Sequence, residues 1–385
     1  MNMKVYADNA ATTRLSKAAL DAIQPHLTDS FGNPSSIYSV GREAKKAIED
    51  ARSSVAQIIG ASINEIYFTG SGTESDNWAI RAAAELKKDK GRHIITSAIE
   101  HPAVLNTLRH LEKSGYSVTY LSVDKFGQIS LDELCSAISN ETILITVMTA
   151  NNEIGTIMPI PEIGKIAREN GILFHTDAVQ AVGHISLDVK DLGVDLLSFS
   201  GHKFGGMKGT GVLYVRKELR LPSFLHGGEQ EHGQRGGTEN VVGIVSLAAA
   251  LADINKRSPL TEVSKMRDRL IGELLKIPRS RLTGDPVNRL PGIASFVFEC
   301  IEGESMLLLL DQAGICASSG SACSSGSLDP SHVLLAVGLP HEIAHGSLRF
   351  SLSENNTDED IDYIIEKLPG IVARLRAMSP LWNEI

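Results

Sequence analysis

The 385-residue chain reads as an α/β protein: a mainly parallel sheet covered by helices, followed by a smaller α+β unit. Three observations predict this. Near-continuous apolar runs of strand length recur between helix-like stretches from about residue 60 to 215, the pattern of parallel strands buried on both faces. Thr73, Asp177 and Lys203 each follow such a run, and ligands in these sheets sit outside the carboxyl ends of strands. The composition shifts at Asn255-Lys256-Arg257-Ser258-Pro259, which marks a boundary.

Taken in order, residues 65–69 read as a strand and a helix follows from Glu74. Residues 93–97, 143–148, 172–174, 196–199 and 211–215 complete the strand set. Beyond the boundary come a helix over 262–276, a strand over 294–298, a helix over 304–312 and a strand over 347–352. Thr357-Asp358-Glu359-Asp360 opens a closing amphipathic helix, with an N-cap and acids in its first turn. The expected division is a large domain over 15–258 and a small one over 1–14 and 259–385. At this length two domains are the natural expectation.

The bulk numbers exclude several classes. A net charge of -9 argues against a nucleic-acid surface, which needs a basic face. No run approaches the roughly 18 apolar residues of a membrane span, and the first eight residues lack the apolar core of a signal peptide. Cysteines at 135, 300, 316 and 323 form neither a disulfide framework nor a CxxC metal pattern. A reducing cytoplasm suits them and keeps a working thiol free.

Lys203 ends an apolar run, is flanked by Ser200 and His202, and is followed by glycines. Most lysines are solvated surface charges; this one has the setting of an imine-forming lysine, which must lose its proton to react. Lys208 lies in a glycine turn with no strand leading into it and reads as structural. Asp177 is either a helix cap or a buried carboxylate that keeps a pyridine nitrogen protonated, and Gln180 follows within reach of a ring hydroxyl. Ser71-Gly72-Thr73-Glu74 has the look of a phosphate-binding helix start, although many βα loops share it. His101, followed by Pro102, suits a first helical turn, or stacking on a cofactor ring.

Cys323 lies in a run of small polar residues with no core-forming neighbour, so it reads as a working thiol. Cys135, Cys300 and Cys316 read as buried, as free cysteine usually is.

The motifs together resemble the cysteine desulfurases, class V, fold-type I pyridoxal phosphate (PLP) enzymes. The resemblance covers nearly the whole chain. It runs from Tyr6-Ala7-Asp8-Asn9-Ala10-Ala11-Thr12-Thr13 through Thr73-Glu74-Ser75-Asp76-Asn77, Asn151-Asn152-Glu153-Ile154-Gly155 and His175-Thr176-Asp177-Ala178-Val179-Gln180. It continues through Ser200-Gly201-His202-Lys203, Arg235-Gly236-Gly237-Thr238-Glu239-Asn240 and Ser321-Ala322-Cys323-Ser324 to Leu348-Arg349-Phe350-Ser351.

The resemblance implies that Lys203 carries PLP, Asp177 pairs with its ring nitrogen, His101 stacks on the ring and Gln180 binds the ring hydroxyl. It implies that Gly72, Thr73, Ser200 and His202 hold the phosphate, with Thr238 supplied by the neighbouring subunit of a homodimer. Arg349 would clamp the carboxylate of L-cysteine, with Asn33 and Asn152 beside it, through a planar bidentate fork. Cys323 would take the substrate sulfur as a persulfide, leave L-alanine, and pass the sulfur to an iron–sulfur scaffold or another acceptor. The long stretch between Cys323 and Arg349 resembles the branch with an extended catalytic loop. The chain stops at Ile385, nearer the nitrogen-fixation branch in length than the longer-tailed housekeeping branch.

Three rival readings stand beside this one. His341-Glu342-Ile343-Ala344-His345 matches the zinc-hydrolase pattern H-E-x-x-H, but Pro340 and Gly346 bracket it and leave little helix, so no metal is expected. A binding module that kept the fold should have lost Lys203 or Cys323. A selenocysteine lyase or aminotransferase-like enzyme would keep PLP and change the chemistry. Glu229 stands where a glycine or small polar residue is expected, without a physical account.

Overall fold

The computed structural model describes residues 4–257, 260–320 and 329–382. Cys323 and its neighbours Ser321, Ala322 and Ser324 lie outside the described residues, as does the expected boundary at position 258.

The chain opens with β1 (Val5–Tyr6), α1 (Lys17–Thr28) and α2 (Ser39–Ile58). Then β2 (Ile66–Thr69), α3 (Gly72–Leu86), β3 (His93–Ser97), α4 (Pro102–Glu112), β4 (Ser117–Leu121), α5 (Leu131–Ala137) and β5 (Thr142–Thr146) alternate. They are followed by α6 (Ile160–Glu169), β6 (Leu173–Asp177), α7 (Val189–Leu192), β7 (Leu196–Ser200), β8 (Gly211–Val215) and α8 (Val241–Asn255). The rest comprises α9 (Thr261–Leu274), β9 (Ser280–Leu282), β10 (Ile293–Phe298), α10 (Gly303–Gln312), β11 (Ile315–Cys316), α11 (His332–Ala336), α12 (His341–Ala344), β12 (Ser347–Ser351) and α13 (Asp358–Met378).

Seven strands form one sheet in the order β2-β8-β7-β6-β5-β3-β4. It is parallel except for β8, which runs against both β2 and β7. Successive residues on a strand feed opposite faces. Ile94, Leu144, Leu173 and Leu196 join Trp78 and Leu108 in one core, while Ile95, Ile145, Phe174 and Leu197 join Val55 and Leu247 in the other. Both faces are therefore covered, as the apolar runs predict.

Some strands extend past their apolar runs, because buried polar residues pair across strands. On β6, His175 meets Thr146 at 2.8 Å and Ser198 at 3.0 Å, and the Thr176 hydroxyl donates to the Val147 carbonyl at 2.7 Å. That carries the strand to Asp177, beyond the expected end at Phe174. α3 begins at Gly72, two residues before expectation, because the Ser71 hydroxyl caps it by accepting the Glu74 N–H. β4 gives no apolar run: it is the edge strand and only its last residue is buried.

Beyond α8, β12, β10 and β9 form an antiparallel sheet, and β1 pairs parallel with β11. The capping box at Thr357 starts α13 where the sequence predicts it. The N-terminal segment ties this sheet to the large one. Ser351 N–H donates to Ala7 O at 2.7 Å, Ala10 N–H to the Ser351 hydroxyl at 2.9 Å, and Thr13 N–H to His202 O at 2.9 Å.

The expected burial of three cysteines is corrected. Cys135 is exposed, because α5 buries Leu134 instead, and Cys300 and Cys316 are half-buried. Cys300 sits in a turn after β10 with φ 67°, and Cys316 ends the short β11. No helix among the described residues is long and apolar enough to cross a membrane.

Candidate active site

A cavity of about 520 Å³ opens at the carboxyl ends of β6 and β7, where α3 begins. Its lining includes Gly72, Thr73, His101, Asn152, Asp177, Gln180, Ser200, His202, Lys203 and Arg349. Residues that the sequence scatters over nearly 280 positions thus share one space: Gly72 and Thr73 start α3, His101 caps α4, Asp177 and Ser200 end β6 and β7, and Arg349 reaches in from the middle of β12.

Lys203 lies in the short turn after β7, and its Nζ donates to the carbonyls of Ala10 at 2.7 Å and Ala11 at 2.9 Å. Asp177 ends β6, and no helix follows, so the cap reading falls away; Oδ1 accepts the Val179 N–H at 2.8 Å. Burial pushes the Asp177 carboxyl up, while His101, the Val179 N–H and Lys203 pull it back. His101 does cap α4: Nδ1 accepts the Ala103 N–H at 3.1 Å, with Pro102 in the first turn. Burial, opposed by Asp177 and assisted by Lys203, holds its imidazole below the usual value.

Gln180 spends its side-chain N–H on Ala10 O at 3.0 Å. His202 Nδ1 faces the Thr12 hydroxyl at 3.1 Å, and burial beside Lys203 and Lys208 lowers it to about 4. The first amides of α3 have no intrahelical partner. A Cβ on Gly72 would stand 2.7 Å from Val179 Cγ2 and 3.4 Å from Ser200 Cβ, so the glycine keeps the cradle open. Arg349 is buried, donates to Asn152 O at 2.8 Å and to Asp8 Oδ1 at 2.9 Å, and keeps Nε without a hydrogen-bond partner.

Two expected residues stay outside this cavity. Asn33 is exposed, and its Oδ1 accepts the Ser35 N–H at 2.9 Å; it does not line the space beside Arg349. Thr238 is also exposed and does not line the cavity of its own chain. Lys208, read as structural, lies at the cavity rim. The H-E-x-x-H segment holds only the four-residue α12, with His341 and Glu342 exposed.

Several buried acids escaped sequence reasoning. Asp76, on α3, lines the cavity; its Oδ1 has no hydrogen bond and lies 3.6 Å from His175 Nε2, and ligand-type atoms of Asp76, His101 and Asp177 lie within 4.8 Å of one another. Burial, with Asp177 nearby, raises Asp76 well above the usual carboxyl range. Glu100 is raised to about 8 by burial and accepts the Ser97 hydroxyl and the Met148 N–H. Glu153, raised to about 7, takes the Ser331 hydroxyl at 2.5 Å. Their positions inside helix starts and turns left no periodic signal; only the packed fold reveals their burial.

The donor set fits an anionic, ring-nitrogen cofactor. A buried carboxyl faces the cavity, an open glycine cradle lies at a helix start, and a lysine and an imidazole line the walls. An unpartnered Arg349 Nε adds a site for a ligand carboxylate.

A family model described as aminotransferase class-V matches residues 5–364. The cysteine desulfurase IscS of Methanosarcina thermophila is 58% identical over 382 residues, covering 99% of this chain and 95% of its own length. A cysteine desulfurase of Nostoc sp. is 52% identical over 383 residues, covering 99% and 96%. Among solved structures, a NifS-like protein aligns with a TM-score of 0.91 at 38% identity, covering 97% of this chain and all of its own. SspA in complex with cysteine aligns with a TM-score of 0.81 at 39% identity, covering 91% and 99%.

Proposed function

The chain belongs to the aminotransferase class-V family, and we propose that within it the protein is a PLP-dependent cysteine desulfurase. It converts L-cysteine to L-alanine and leaves the sulfur as a persulfide on Cys323. The observation that carries this reading is the shared cavity of Lys203, Asp177 and Arg349. Its relatives with that name, at 58% and 52% identity, support it.

When bound, pyridoxal phosphate supplies an electron-withdrawing ring that stabilises negative charge at the substrate Cα and so labilises the Cβ–S bond. Asp177 would hold the ring nitrogen protonated, His101 would stack over the ring and Gln180 would meet its hydroxyl. The start of α3 with Gly72 and Thr73, joined by Ser200 and His202, would hold the phosphate. Arg349 and Asn152 orient the substrate carboxylate. Lys203 would hold the cofactor and would move a proton at the substrate Cα. The Cys323 thiolate attacks the substrate sulfur: an S–S bond forms as the C–S bond breaks, and Cβ gains the proton that completes alanine.

The proposal extends to a homodimer in which Thr238, exposed and outside the cavity of its own chain, completes the neighbouring phosphate site. The division into a large domain over 15–258 and a small one over 1–14 and 259–385 is part of the same reading, as are a cytoplasmic setting and sulfur delivery to an iron–sulfur scaffold.

The test is a visible absorption spectrum of the purified protein, then product analysis after adding L-cysteine. Expected are a yellow protein, L-alanine, and a mass gain of one sulfur on the peptide containing Cys323. Cys323→Ala should stay yellow and form no persulfide. Persulfide or sulfide release at the normal rate from that variant overturns the sulfur-relay role.

A further inference from the structure

Asp8 is the ion-pair partner of Arg349, at 2.9 Å. Arg349 is 5% exposed, and a cation so buried needs a counter-charge. Glu153, a nearby acid, is bonded to the Ser331 hydroxyl instead. The backbone fixes Asp8: it bridges to Ser351, and the next residue, Asn9, donates its N–H to Ser351 O at 3.1 Å. A guanidinium has five N–H donors. Bonds to Asp8 and to Asn152 O set the plane of the fork, while Nε remains unpartnered.

We propose that Asp8 is a positioning residue that orients Arg349 and partly cancels its charge, so that an α-amino carboxylate is aligned yet released. This rests on the reading of Arg349 as the carboxylate anchor. A ligand carboxylate arriving at Arg349 must share the cation with Asp8 and is repelled by it. Asp8→Asn keeps an acceptor oxygen for Arg349 and removes the competing charge. A ligand carboxylate at Arg349 then meets no competing charge from position 8.

The experiment is a titration of the yellow holoenzyme with L-alanine, read by its absorption change, together with thermal melting and steady-state kinetics. For Asp8→Asn, L-alanine should bind about five- to tenfold tighter, a change of about 1 to 1.4 kcal/mol. The ligand-free variant should melt lower, L-alanine should raise its melting temperature more than in wild type, and kcat and KM for L-cysteine should fall together. A merely structural role predicts lower melting with equal or weaker L-alanine binding, and that result overturns the proposal. Should D8N fail to fold, the double variant D8N/R349M decides. It should regain most of the lost stability, because no lone buried charge remains, and a double variant as unstable as the single one overturns the pairing. If wild type makes no alanine from cysteine, the desulfurase reading fails. If wild type turns over normally and D8N binds alanine no tighter, only the role of Asp8 fails.

Discussion

The Lys203 side-chain nitrogen sits 2.7 Å from the carbonyl oxygen of Ala10, a residue 193 positions earlier in the chain. The same carbonyl takes the Gln180 side-chain N–H at 3.0 Å. The N-terminal segment is thus a wall of the cavity, and it aims the lysine by backbone contacts that no side-chain substitution in that segment removes.

Lys203→Ala should abolish the visible absorption of the covalently held cofactor. It should also cut alanine formation by about a thousandfold or more, since it removes both the covalent link and the proton carrier. Lys208→Ala, at the rim, should leave the absorption band in place. A yellow, active K203A protein would assign the imine to another lysine.

Gly72→Ala should weaken cofactor binding by about tenfold, or about 1.4 kcal/mol. The added methyl carbon stands 2.7 Å from Val179 Cγ2, and valine is stiff at χ1, so the cradle wall must shift. Fluorescence titration of the cofactor-stripped variant with pyridoxal phosphate measures it. Unchanged affinity removes the start of α3 from the phosphate site.

Arg52 and Glu231 form a two-pronged buried ion pair, both contacts at 2.8 Å. The pair caps the outer edge of β2: Arg52 donates to Ile66 O at 2.7 Å, and Glu231 accepts the Phe68 N–H at 3.0 Å. Glu231 holds left-handed backbone at φ 46° to do this. Glu231→Ala should cost about 3 to 5 kcal/mol by removing both short charge contacts of a buried guanidinium, which keeps only the longer contact to the Glu49 carboxylate at 3.4 Å, read by denaturant unfolding. A loss under 1 kcal/mol, the range of exposed pairs, contradicts the assignment.

Stability should peak on the acid side of neutrality. Burial lowers His175 to about 3, whereas its ordinary value is 6.5. Below 6.5 the unfolded chain binds the extra proton, so this contribution is complete above 6.5 and is lost as pH falls toward about 3. Glu153 and Glu100 act in the opposite sense: raised from 4.5 to about 7 and about 8, they keep protons that the unfolded chain gives up. Their contribution is complete below 4.5 and is lost as pH climbs through 7 to about 8. Urea midpoints should therefore be highest near about pH 4.5, where the loss from the two glutamates overtakes the gain from His175, and decline above it, and Glu153→Gln should flatten part of the decline. Midpoints that rise steadily to pH 8 sink this account.

The alternation of apolar strands and helices is legible in the residues themselves, and with it the covered parallel sheet and the edge where Asp177 and Lys203 stand. These are local matters: periodicity, turn residues and a helix cap such as Thr357 act within a few neighbours. The sequence also singled out Arg349 and His101, though only through motifs taken together. The rest depends on how the elements pack. The reversal of β8 and the edge position of β4 are matters of strand order, which no local pattern encodes. The pairing of Asp8 with Arg349 and of Lys203 with Ala10 depends on an N-terminal segment crossing between two sheets. The burial of Asp76, Glu100 and Glu153, and the exposure of Cys135, follow from which side of each element meets a neighbour. Charge, burial and proton affinity at a site are properties of its surroundings, and distant segments supply those surroundings only once the chain has folded.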